Sequence, residues 1–279
     1  MTSITKKPNR TPTMKHTHKF IRPLVAISMA ASAIAGTTDE PVVIPQSPPS
    51  DSPWEFRITP YAWLTGLNGT LGRDPVTVDI DKSFADIVGS LKMAGALQME
   101  ARKGRWSIMA DGFYANLGAS VDARSPLSGG GNLNLKQFLG EVDVAYRIHE
   151  DTRSFVDLFA GVRYNSLELD IEIDATTPGG GKNLFTSDSA DQDWADPLIG
   201  IRGQWNFNER WFVAGRADIG GFGVASDFAW NAQATVGYQF TDGFSTELGY
   251  RYFDTDYRDG DFIYDIAEHG VFLGFNFSF

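Results

Sequence analysis

From Trp54 to Phe279 apolar and polar residues alternate with a period of two, interrupted only by turn-rich gaps. Successive side chains of a strand point to opposite faces, so this pattern commits the segment to β-strands with one apolar and one polar face. Ten segments carry it. In the first, Trp54, Phe56, Ile58, Ala62 and Leu64 share one face, and Glu55, Arg57, Thr59 and Tyr61 the other. A middle one sets Phe138, Val142, Val144 and Tyr146 against Gln137, Glu141, Asp143 and Arg147, and the last gathers Val271, Leu273, Phe275, Phe277 and Phe279 on one face. Each segment is near the ~9–11 residues that cross a bilayer at a tilt. One short helix is expected within a connection, over Ser83 to Leu91, where Phe84, Ile87, Val88 and Leu91 recur at helical spacing.

Alternation alone fits two architectures, a soluble barrel with its apolar face inward and a membrane barrel with that face toward lipid. Three features select the second. Connections at one end are short (Lys103-Gly104, 149–154, 206–210, 241–243), whereas the alternate ones are long and polar (65–92, 118–135, 174–193, 254–261), with 222–227 a short exception. Aromatic residues gather at both strand ends: Trp106, Trp205, Trp211 and Phe240 beside the short turns, Tyr114, Tyr164, Tyr250 and Tyr252 toward the long connections. Two such belts match the interfacial girdles of membrane barrels. The final strand ends on Phe279 with apolar residues at alternate positions, like the terminal strand by which outer-membrane barrels are recognised for assembly. The expected fold is all-β: a transmembrane antiparallel up-and-down β-barrel of about ten strands (eight to twelve), with short periplasmic turns and long extracellular loops.

The segment before Trp54 has a different composition. Lys6, Lys7, Arg10, Lys15, Lys19 and Arg22 precede an apolar run from Leu24 to Ala31, and small residues follow at Ala31-Ser32-Ala33 and Ala33-Ile34-Ala35. That is the layout of a cleavable export signal over residues 1–35, and the run is shorter than the ~20 apolar residues of a spanning helix. Residues 36–53 hold Pro41, Pro45, Pro48, Pro49 and Pro53 and read as an extended periplasmic linker, leaving 54–279 for the barrel. Loss of the signal would remove six of 24 basic and none of 35 acidic residues, giving 18 − 35 = −17. So acidic a chain is repelled by nucleic-acid phosphates. With no Cys there are no disulfides, zinc-thiolate sites or thiol nucleophiles.

Turned inward, the polar phase supplies the candidate site. It collects the acids Glu55, Glu100, Asp111, Glu141, Asp143, Asp157, Asp218 and Glu247. It also collects Arg57, Arg102, Arg147, Arg163, Arg202, Arg216 and Arg251, with no Lys. Arginine forks that bond two carboxylates at once would satisfy buried charge in a filled interior. The same residues would equally line a polar conduit with a field across it. Further acids lie in the connections: Asp170, Glu172, Asp174, Asp188, Asp191 and Asp193 in one, and Asp254, Asp256, Asp259 and Asp261 in another. Asp254, Asp256 and Asp261 are oxygen ligands of the kind calcium selects, without the Glu that completes a calcium loop, so a solvated acidic loop is the simpler account. After signal removal only His149 and His269 remain as imidazole bases, the first in a short turn and the second near the outer end of the last strand. Glu268 beside His269 faces the opposite way, so no acid–base pair is expected there. No catalytic residue, metal or cofactor is expected.

Residues 54–279 resemble the small outer-membrane barrel proteins of proteobacteria. The stretch Tyr61-Ala62-Trp63-Leu64 with Gly66, Gly69 and Gly72, then Ala101-Arg102-Lys103-Gly104-Arg105-Trp106, is similar to a group of such barrels without an assigned activity. The resemblance implies fold and location in the cell envelope of a Gram-negative bacterium, and transfers no catalytic residue. Three function classes stand on these observations: a small porin-like or solute-facilitating barrel, a plugged structural or surface-interaction barrel acting through its acidic loops, and a barrel hydrolase. The expected partners are membrane lipid, lipopolysaccharide and, through the strand ending at Phe279, the barrel assembly machinery.

Overall fold

A computed structural model describes residues 53–73, 76–89, 91–122, 128–176 and 183–279. The expected signal, and the linker but for Pro53, lie outside the described residues. Eleven strands run in chain order as β1 Trp54–Arg73, β2 Val76–Lys82, β3 Leu91–Lys103, β4 Trp106–Asp122, β5 Ser128–Glu150, β6 Ser154–Thr176, β7 Asn183–Asn206, β8 Trp211–Gly220, β9 Ser226–Thr241, β10 Phe244–Asp259 and β11 Phe262–Ser278, with one helix, α1 Phe84–Val88, between β2 and β3.

All neighbouring pairs are antiparallel, and β1 pairs with β11, so the sheet closes on itself. The ring contains ten strands, as the alternation predicts. β2 lies outside the count because it forms a hairpin on the upper part of β1 alone, from Leu67↔Lys82 to Arg73↔Val76. The β1–β3 ladder runs from Trp54↔Lys103 and stops at Pro60↔Leu97, where Pro60 has no N–H to continue it. Starting from Leu67 and stepping through the paired residues Glu268, Phe253, Asn231, Asp218, Gly200, Phe159, Ala145, Ser107 and Arg102 returns to β1 at Glu55, twelve residues lower (67 − 55). A stagger of that size in a ten-stranded ring corresponds to strands tilted by about 40° and a barrel narrow enough for side chains to fill.

The barrel is inside out relative to a soluble one. Ile108, Val142, Leu158, Val162, Ile199, Val236 and Leu248 point outward and are exposed, while Asp157, Arg163, Asp196, Asn231 and Glu268 are buried inside. Contacting rings ring the short-turn end, among them Trp106–Tyr146, Trp211–Tyr238, Phe240–Phe244 and Phe244–Phe277. A second belt higher up includes Phe138–Tyr164 and the stack of Trp230 on Tyr252 and Tyr252 on His269. An exposed apolar wall between two aromatic belts is stable only against lipid. The barrel therefore spans a membrane.

Above the upper belt the alternation continues with its sign reversed. On β6, Val162 and Tyr164 face outward and Arg163 and Asn165 inward, but further along Leu167 and Leu169 face inward and Glu168 and Asp170 outward. The wall there is surrounded by water, so its apolar side turns in. This is why the connections read as long polar loops while much of their length is strand. β5, β6 and β7 have 23, 23 and 24 residues, more than twice the ~9–11 that the bilayer needs. Helix α1 is shorter than the expected Ser83–Leu91 and is capped by Ser83 and Asp86, whose carboxylate accepts from the Ser83 N–H at 3.0 Å and the hydroxyl at 2.7 Å. Its Ile87 packs on the apolar cluster inside the extracellular part of the barrel.

Candidate functional site in the barrel interior

The inward side chains form stacked layers. Nearest the periplasm, Asp157 (β6) is fully buried and takes three arginines: Arg102 Nη2 at 2.7 Å, Arg147 Nε at 2.9 Å and Arg202 Nη2 at 2.9 Å. Glu100 (β3) ties Arg102 at 2.8 Å to Arg202, whose Nη1 reaches it at 3.0 Å. A second ionic layer lies above. Arg163 (β6) sits between Glu141 and Asp218, each 2.6 Å away, and Arg216 (β8) binds Glu141, Asp143 at 3.1 Å and Asp218 at 3.2 Å. Asn231 donates to Asp218 at 2.8 Å and accepts from Arg251 Nε at 3.0 Å. Arg251 also faces Asp111 at 3.5 Å, and Asp111 accepts the Tyr61 hydroxyl at 2.8 Å.

Charges this deep cost several kcal/mol each to desolvate, and only dense pairing offsets that. Here most carboxylates meet two cations or a cation and a neutral donor, the pattern that forked guanidinium groups allow. The arginine planes also rest on rings: Arg147 on Phe155, Arg216 on Phe159, Arg163 on Phe253 and Arg251 on Trp63, at 4.2–4.7 Å from the ring centres.

Two of those rings, Phe253 and Trp63, belong to an apolar layer across the lumen, whereas Phe159 packs lower down with Met109, Ala145 and Leu198. Tyr61 stacks on Phe272 (5.0 Å) and Trp63 meets Phe113 edge-on (5.4 Å), with Leu139 and Phe253 fully buried beside them. Higher still, Glu268 accepts from Gln137 at 2.5 Å and from the Tyr264 hydroxyl at 3.1 Å, so β5 and β11 are bridged through the interior. The extracellular part is filled by Leu67, Leu71, Leu135, Leu167, Trp194 and Tyr257, among others. Below the second ionic layer the lumen keeps a cavity of about 120 Å³, lined in part by Arg57, Gln233 and Glu247.

Of the fifteen charged residues singled out from sequence, twelve fall in the two ionic layers. Glu100, Arg102, Arg147, Asp157 and Arg202 form the lower one, and Asp111, Glu141, Asp143, Arg163, Arg216, Asp218 and Arg251 the upper. Glu55 is exposed at the periplasmic edge, while Arg57 and Glu247 line the cavity. The alternation does not single out the aromatic layer as a unit, although it sets Tyr61 in the polar phase of its strand. That parity is the signal that finds it.

Neither histidine sits in a nucleophile–base–orienter array among the described residues. Asp151 (3.1 Å) and Ser154 (3.4 Å) both approach the same His149 nitrogen, Nε2, whereas a nucleophile–base–orienter array needs opposite ring nitrogens. His269 faces outward, with its Nδ1 2.6 Å from the Tyr250 hydroxyl. Among the described residues no group of acids and histidines gathers with metal-ligand geometry. Asp256 pairs with Arg258 at 3.4 Å, and the side chains of Glu172, Asp174 and Asp188 lie outside the described ones.

No protein-family model and no curated protein sequence matches the chain. Among solved structures it is similar to the outer membrane protease OmpT from Escherichia coli, at 11% identity over 81% of this chain and 93% of that one with a TM-score of 0.47. It is also similar to Ail, the attachment invasion locus protein of Yersinia pestis, at 10% identity over 82% and 99% with a TM-score of 0.34. A third is the Pseudomonas putida toluene transporter TodX, at 11% identity over 81% and 88% with a TM-score of 0.32. The fold stands on the chain's own strand pairing. Closed at β1–β11, apolar outside and ionic within, the chain is a membrane-spanning β-barrel of ten strands.

Proposed function

We propose that the protein works as a closed barrel, a rigid scaffold that presents its extracellular β-extension to the cell surface, and not as an open pore. The observation that carries this reading is the succession of the Arg163–Glu141–Arg216–Asp218 layer and the Tyr61–Phe272–Trp63–Phe113 layer, which together fill the lumen at mid-height. Small barrels are commonly packed by their own side chains. The extension is polar outside and packed inside, which suits contact with lipopolysaccharide sugars or a partner's surface. Neither ionic layer offers a nucleophile with a base, so an enzymatic role has no support in the interior.

A porin-like reading draws on one observation, the cavity at the periplasmic end. For solute to cross, Arg251, Tyr61 and Asp111 would have to part together. Single-channel recording of the folded mature protein in a planar bilayer tests the proposal. Silence is the expected result, and stable ion-selective steps from protein shown to be folded would overturn it.

A further inference from the structure

The cavity under the second ionic layer is blind at its upper end and carries a charge imbalance of a particular kind. Six of the seven interior arginines have a carboxylate within 4 Å. Arg57, half-buried on β1, has no ion pair among the described residues, although it lies close enough to Glu100 to be felt by it. Glu247 on β10 is the counterpart. It accepts from the Thr235 hydroxyl at 2.7 Å and from the Asn276 amide at 3.4 Å, both neutral, and no cation pairs with it among the described residues. One positive and one negative group thus face the same cavity without meeting. Only β11 separates their strands, about 10 Å sideways, but Arg57 lies opposite Ser278 and Glu247 opposite Gly274, so the backbones are also offset by about 13 Å along β11, four residues, and a ligand has to span what the side chains do not. Asn276 on β11 helps to hold Glu247, also donating to Ser245 at 3.2 Å.

We infer that this cavity is a periplasm-facing binding site for a small zwitterion of the α-amino acid class, its carboxylate on Arg57 and its ammonium on Glu247. A guanidinium receives a carboxylate through two parallel bonds, and a carboxylate accepts an ammonium directly. The cavity volume of about 120 Å³ admits a compact ligand with a small side chain and excludes drug-sized molecules. Gln233 supplies a neutral amide on the same wall, and Phe155 and Phe212 give the cavity an apolar side. Charge complementarity at both ends sets specificity, because a ligand lacking either charge leaves one half-buried partner unmet.

Calorimetric titration of the folded barrel with L-alanine, N-acetyl-L-alanine and L-alaninamide tests the assignment. L-Alanine should bind saturably, and each charge-deleted analogue at least tenfold more weakly. Glu247→Gln should weaken L-alanine and leave N-acetyl-L-alanine unchanged, while Arg57→Gln should weaken L-alanine and leave L-alaninamide unchanged. No saturation by L-alanine, or equal affinity for the three probes, overturns the inference with the unmutated protein alone. Its fate is separate from that of the closed-lumen reading: a conducting barrel that binds alanine refutes only the latter, and a silent one that binds nothing refutes only this.

Discussion

Replacing Arg163 with Gln tests whether the interior network holds the barrel together. Arg163 is almost wholly buried, bridges Glu141 and Asp218 at 2.6 Å each and lies over Phe253 at 4.7 Å. Removing one partner of a buried ion pair typically costs about 3–5 kcal/mol, because the remaining charge stays desolvated. Here neither carboxylate is stranded. Glu141 keeps Arg216, and Asp218 keeps Arg216 and Asn231. The loss should therefore sit at the lower end, about 3 kcal/mol, or roughly a hundredfold in the folding equilibrium. The control is Lys136→Gln, which breaks a half-exposed pair with Glu168 on the outer wall and should cost under about 1 kcal/mol. Urea unfolding of both variants in detergent micelles, followed by tryptophan fluorescence and by gel mobility without boiling, gives the comparison. Equal midpoints for the two variants would show that the ionic layers are decoration on a barrel stabilised elsewhere.

Two further tests address location and the periplasmic turns. Leu248 faces outward between the aromatic belts and is 57% exposed, so Leu248→Arg should destabilise the barrel in a bilayer by about 2–4 kcal/mol; an unchanged midpoint in lipid vesicles would argue that this face does not meet hydrocarbon. In the turn after β5, the Arg153 N–H, the Ser154 hydroxyl and the Ser154 N–H all donate to Asp151 and hold its carboxyl down at about 2. A depressed carboxyl contributes stability above its unfolded value of about 4 and loses it as pH falls toward 2, so Asp151→Asn should flatten the fall in urea midpoint between pH 4 and 2, and an unaltered slope would contradict the assignment.

Strand phase was legible in the sequence because within the bilayer the two faces of each strand meet opposite solvents. Twelve of the fifteen charged residues chosen by parity sit in two bonded layers for that reason. The lengths of the strands were not legible. Above the membrane both the outer solvent and the preferred inner filling change, and a pattern such as Leu167-Glu168-Leu169-Asp170 loses its apolar outer face while staying β. Charge content there resembles a loop. The interior aromatics escaped for a different reason. Phe253 and Phe272 are apolar residues in the polar phase, and a search for one polar and one apolar face passes over them. Which acids and arginines would pair was beyond sequence altogether, since Arg163 on β6 reaches Asp218 on β8, past the intervening β7 and 55 residues away. The position of Arg57 and Glu247 apart from that pairing belongs to the same class of fact.

The closure of the ring by β1 on β11 also sets an order of events. Arg57 lies opposite Ser278, 221 residues later (278 − 57), so the contact that seals the wall joins nearly the two ends of the folded segment. Before that contact forms, β1 and β11 are open edges, each with a row of unpaired N–H and C=O groups that hydrocarbon cannot satisfy. A chain carrying nine of the ten ring strands is thus not a slightly smaller barrel but a sheet with nowhere in the bilayer to rest. Insertion and closure must be nearly simultaneous, and so distant a pairing makes that step slow. Until then the unfinished barrel needs shelter for its edges, and the time to completion is the interval in which the chain is vulnerable to aggregation and proteolysis.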